Sequence, residues 1–114
     1  MTNLAQDQKL EFDTELTAAA SAFTGTPQLL GQLTNVPVIL LVKNQTNVSV
    51  FFADNSGTTK GTTMVAGEEF VLDCRGNNGT ARNMGFPIGT PFYVTGAAGG
   101  GNTGNFKVSV LNAY

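Results

Sequence analysis

Apolar and polar positions alternate with a period of two along most of the chain, the pattern of strands that bury one face. The apolar runs are densest in residues 36–73, VPVILLVKNQTNVSVFFADNSGTTKGTTMVAGEEFVLD, which predicts three or four successive strands and the nucleus of the fold. The run VILLV after Pro37 is apolar on both parities, as in a central strand covered on both faces. Residues 43–47 read as a polar turn. Val48, Val50 and Phe52 then return on one face, so the two runs are expected to form an antiparallel pair. Asp54-Asn55-Ser56-Gly57 is a turn signal, because Asp and Asn side chains bond nearby backbone and Gly supplies positive φ. A short strand over 58–65 and a tight turn at Ala66-Gly67-Glu68 follow. Phe70, Leu72 and Cys74 then line the apolar face of another strand.

Upstream, Leu10, Phe12, Thr14, Leu16, Ala18, Ala20 and Ala22 share one parity, with Glu11, Asp13, Glu15 and Thr17 on the other. This pattern predicts an extended arm or an edge strand, whose charges would discourage unwanted strand pairing. Gly25, Pro27 and Gly31 interrupt it, leaving a loop with a short strand around 28–33. The chain therefore divides into an N-terminal arm or edge strand with its loop (1–35) and a β-sandwich domain (36–114). As an arm, the first part would reach a neighbouring subunit through Leu10, Phe12, Leu16 and Phe23. As an edge strand, it would complete its own sheet.

Downstream of the nucleus, RGNNGTARNMGFPIG (75–89) is a long Gly- and Asn-rich loop, the first candidate contact surface. Asn77, Asn78 and Arg82 would supply polar contacts. Met84, Phe86 and Ile88 would either meet a partner or fold back beneath the sandwich rim. A strand over 91–95 carries Phe92 and Val94 on one face, and GAAGGGNTG makes a flexible connection. A last strand then aligns Phe106, Val108, Val110 and Tyr114. About six to eight short strands, turn signals roughly every 8–12 residues and no strong helix predict an all-β fold. We expect an antiparallel β-sandwich or jelly roll with an extended N-terminal segment.

Composition narrows the chemistry. A chain of 114 residues suits one domain. Only 12% of the residues are charged, against roughly a quarter in an average soluble protein. A surface rich in Thr, Asn and Ser suits a partner-covered protein, and equally an ordinary β domain that uses these residues in turns. The six basic residues are dispersed and the net charge is −2, which argues against nucleic-acid binding. The longest apolar run, 38–42, falls far short of the roughly 20 residues of a membrane span. The first twelve residues have no basic n-region or apolar h-region, so synthesis in a cytoplasm without a secretory signal is expected. The sequons at Asn44, Asn47 and Asn78 are accordingly expected to be unused.

Cys74 is the sole cysteine and there is no histidine, which precludes an internal disulfide and a zinc site of ordinary type. DNSGTT lacks the alternating carboxylates and closing Glu of a calcium loop, and the glycine run lacks the Gly-Lys-Ser/Thr ending of a phosphate loop. Asp54, Glu68, Glu69 and Asp73 fall at turns or on outward parity, with no neighbouring base or nucleophile. We expect a non-enzyme with no catalytic residue, metal or cofactor.

The segments PVILLVKNQTNVSVFFADNS, GTTMVAGEEFVLD, GTPFYVTGAAGGG and GNFKVSVLNAY resemble the small β-sandwich virion proteins of tailed bacteriophages. The shared layout is an apolar strand ending in a Lys-Asn-Gln-Thr-like turn, an Ala-Gly-Glu turn, a Phe/Tyr strand and a final Gly-x-Phe strand, over about residues 36–114. The resemblance implies a head decoration (cement) protein on the capsid surface of the virion. Its partner would be the major capsid protein, with self-association into a homo-oligomer such as a trimer. The alternatives are a neck or tail component, or a carbohydrate-binding or host-attachment module using Tyr93, Phe86 and loop 76–83.

Overall fold

A computed structural model describes residues 10–74 and 86–113. Nine strands are present in these residues: β1 (Leu10–Phe12), β2 (Leu16–Ala19), β3 (Gln28–Gln32), β4 (Pro37–Thr46), β5 (Val50–Ala53), β6 (Thr62–Met64), β7 (Glu69–Asp73), β8 (Pro91–Gly96) and β9 (Gly104–Ala113). A single 3-10 turn, Ala20–Ala22, follows β2. The first sheet runs β1–β9–β4–β7, with β2 also on β9. The second runs β3–β8–β5–β6, and every pairing is antiparallel.

The pairings β2·β9, β3·β8, β4·β7 and β5·β6 are the rungs of one long hairpin. Rolling that hairpin up places β9 beside β4 and β8 beside β5. This double Greek key is a jelly roll, so the strand order decides between the two expected sandwich types.

The core follows the alternation. Leu40 and Val42 of β4 and Phe106, Val108 and Val110 of β9 point inward from the first sheet. Val50 and Phe52 of β5, Met64 of β6, and Phe92 and Val94 of β8 point inward from the second. The Phe52 ring stacks on Phe92 at 5.3 Å and meets Phe106 of the opposite sheet at 5.4 Å. Such aromatic pairs add about 0.5–1.5 kcal/mol each beyond the area they bury.

Two expectations are corrected. β4 and β5 do not pair, because the chain crosses from one sheet to the other between them. Residues 43–46 are not a turn either: β4 continues through them, and Asn44 and Thr46 are buried. The Asn44 Nδ2 donates to the carbonyls of Val48, Met64 and Val65 at 2.9–3.1 Å. Its Oδ1 accepts from the Thr46 amide (3.2 Å) and hydroxyl (2.6 Å). An amide with this many partners can be buried without the cost of an orphaned polar group.

The N-terminal residues lie along their own sheets. β1 and β2 edge the first sheet and β3 edges the second. Ala18, Ala20, Phe23 and Leu33 are buried in the core. Phe23, an expected contact residue, is 4% exposed, and its ring lies against Gly96, where a Cβ would overlap it. It is withdrawn from the surface because the glycine makes room for it.

Two outcomes follow. Asn44→Ala should destabilise the fold by roughly 1–3 kcal/mol, since the Met64 carbonyl loses its side-chain donor and the Thr46 amide its side-chain acceptor, while the Val48 and Val65 carbonyls keep the Thr46 hydroxyl and the Glu68 amide; chemical denaturation measures this. Removal of residues 1–30 deletes β2, most of β3 and the Phe23 ring, and should abolish cooperative unfolding in a thermal melt.

Candidate functional site: an apolar sheet face and its flank

Outward-facing side chains of the first sheet form the most conspicuous surface feature. Opposed residues across a ladder share a face, and β1, β9, β4 and β7 align Phe12 with Leu111, Leu111 with Ile39, and Leu41 with Val71. Leu10 lies opposite Ala113 at the end of the same face. Phe12 is 68% exposed, Val71 61% and Leu10 55%, while Ile39, Leu41 and Leu111 are half-buried. The doubly apolar run VILLV predicts cover on both faces. Only its Leu40 and Val42 side is buried, and no described residue layers over the other.

Farther along the strands the face turns polar. Lys43, opposite both Lys107 and Glu69, approaches Glu15 at 3.8 Å, and Glu15 also accepts from the Ser109 hydroxyl at 2.9 Å. Both partners of the ion pair are solvent-accessible, so it contributes little.

A register change decides which N-terminal side chains join this face. Phe12 pairs with Leu111 but Leu16 pairs with Val108, so residues 13–15 hold one residue more than the facing segment of β9. An extra residue flips the side-chain parity. Leu10 and Phe12 therefore point outward, while Leu16 packs against the core with Ala18. The single parity expected for residues 10–22 is thus broken.

Asp13 occupies that break. Its Oδ2 accepts from the Thr34 hydroxyl (2.7 Å), the Asn112 amide (3.1 Å) and the Asn35 amide (3.3 Å), and its Oδ1 from the Thr14 backbone N–H (2.7 Å). These donors, Thr34 and the Thr14 amide foremost, lower its pKa from 3.8 to about 2.

A second feature is a cleft of about 260 Å³ between the sheets at their β6 and β7 edges, lined by Phe52, Phe70, Leu72, Phe86 and Phe92 with Asp54 and Lys60 at its rim. Phe86 meets Phe92 edge-on at 5.1 Å and is half-buried. Tyr93 lies elsewhere, on the outward parity of β8, so the two aromatics proposed for sugar contact do not share a face. The glycine connection is anchored: Asn47 donates to the Gly101 carbonyl and accepts from the Thr103 amide, both at 2.8 Å, and Asn102 donates to the Ala97 and Ala20 carbonyls.

Of the expected contact residues, the structure brings Leu10 and Phe12 together on the open face. It sends Leu16 and Phe23 inward and places Phe86 in the cleft. Asn77, Asn78, Arg82 and Met84 lie outside the described residues. Sequence reasoning missed Ile39, Leu41, Val71 and Leu111, although the doubly apolar VILLV and the outward Val71 carried the signal. Among the described residues there is no cluster of three or more His, Cys, Asp or Glu side chains that could hold a metal ion. No family model matches the chain, and no curated protein or solved structure matches it.

The Asp13 hydrogen bonds set a pH dependence. A carboxylate with a depressed pKa stabilises the fold above its unfolded value, and that contribution disappears as the pH falls through the folded one. Asp13→Asn should therefore lower stability at pH 5–7, with the difference from the unmodified chain shrinking between about pH 4 and pH 2. Denaturation curves across that range test it.

Proposed function

We propose that this chain is a non-enzymatic structural protein of a virion, a capsid decoration (cement) protein that lays the open face of its first sheet on major capsid proteins. The observation that carries this reading is the apolar face formed by Leu10, Phe12, Ile39, Leu41, Val71 and Leu111. Contiguous exposed apolar surface on a small domain marks an interaction site. The part of the face on β4, β7 and β9 is held by the packed sandwich and loses little entropy on docking.

Two further points support the reading. The sequence resembles small phage virion proteins, and jelly rolls are common among capsid proteins, though a fold by itself hosts many functions. Many copies on one shell need only modest interfaces, because repeated weak contacts add up across the lattice. Self-association into a homo-oligomer such as a trimer belongs to the same proposal, as does a place on the outer capsid surface.

Co-sedimentation with capsids assembled from the cognate major capsid protein tests it. The unmodified chain should pellet with the shells. A Phe12→Asp, Val71→Asp double variant should lose at least tenfold in affinity while keeping its melting temperature, since both side chains face solvent. Unchanged binding of the variant would remove the sheet face from the proposal, and failure of the unmodified chain to bind any shell would remove decoration itself. Mass spectrometry of purified virions separates shell from neck or tail, at hundreds of copies against about a dozen.

A further inference from the structure

The strand β1 is held in an unusual way. All three of its residues, Leu10, Glu11 and Phe12, are exposed, so no side chain of β1 is buried to anchor it. Among the described residues its ties to the sandwich are the ladder to residues 111–113 of β9, the Asp13 amide donating to the Val110 carbonyl at 2.8 Å, and the Asp13 carboxylate cluster. β2, on the far side of the register break, is different: Ala18 is 5% exposed and Leu16 packs on the core.

The carboxylate gathers three separate parts of the chain. Thr34 and Asn35 belong to the connection between β3 and β4, Asn112 to β9, and Asp13 to the break between β1 and β2. Each of these donors is neutral, and so is the Thr14 backbone amide. The charged groups nearest Asp13 in sequence are Glu11 and Glu15, and Glu15 is engaged by Lys43 and Ser109. No described cation pairs with Asp13, so the cluster depends on the carboxylate accepting several hydrogen bonds at once. Bonds to an ionised acceptor are stronger than neutral ones.

We infer that β1 is a detachable edge strand, latched to β9 by the Asp13 carboxylate, and that it can release while the rest of the jelly roll stays folded. A three-residue strand with no buried side chain gains little beyond its ladder to offset the entropy of ordering it. The latch tips that balance. Release uncovers the edge of β9 over 111–113. The inference concerns how β1 is held and stands whether or not the sheet face binds a capsid.

Hydrogen–deuterium exchange on the full chain at pH 7 decides it, comparing the unmodified protein with Asp13→Asn and Thr34→Val. An Asn side chain keeps the size of Asp but lacks the charge and one acceptor oxygen. Asp13→Asn should speed exchange of the β9-facing amides in 10–13 at least tenfold, and Thr34→Val should do so more weakly. The amides of β4, β5, β8 and residues 104–109 should speed up in both variants by no more than the fall in global stability requires, and far less than those of 10–13. Protection of 10–13 that survives in Asp13→Asn would overturn the inference. So would residues 10–13 that are unprotected in the unmodified chain, or loss of protection in every strand together.

Discussion

The buried Asn44 amide is the interaction on which the roll depends. It lies near the end of β4, where the chain leaves the first sheet, and its bonds reach the Val48 carbonyl before β5 and the Met64 and Val65 carbonyls at the end of β6. One side chain therefore ties both crossings at this end of the sandwich. The Asn44 backbone continues the arrangement, donating to the Glu68 carbonyl and accepting from the Gly67 amide at 2.8 Å each. With its polar atoms satisfied, the amide selects one geometry among the ways two apolar sheets could slide.

From that fixed end the apolar core does the remaining work. Phe52 touches rings from both sheets and sets their spacing around Phe92 and Phe106. Asparagines then stabilise the rim, Asn47 and Asn102 by holding the glycine connection and Asn55 by accepting from the Gly57 amide at 2.9 Å. These three asparagines thus have local roles in turns, and the apolar face of the first sheet is the stronger pointer to a partner.

That face was only half legible. The alternation points to Leu10 and Phe12 as contact residues, but for an arm in which they share a face with Leu16. The extra residue at 13–15 separates them. Ile39, Leu41, Val71 and Leu111 were overlooked because an outward apolar residue in a strand looks like any buried one until it is known that no described residue layers over it. Phe23 misled in the opposite direction: an aromatic beside a Gly- and Pro-rich loop is lodged in the core because Gly96 leaves space for its ring.

The sequence by itself determined the all-β class, the places of most strands, and the inward faces of β7, β8 and β9. These follow from alternation and turn residues, which are local properties of the backbone. Only the tertiary structure decided that β4 and β5 belong to different sheets, that the polar end of β4 is buried, and that the N-terminal strand changes face midway. Sheet membership and register depend on partners tens of residues away, and a shift of one residue reverses every side chain beyond it. A local period of two carries no record of either.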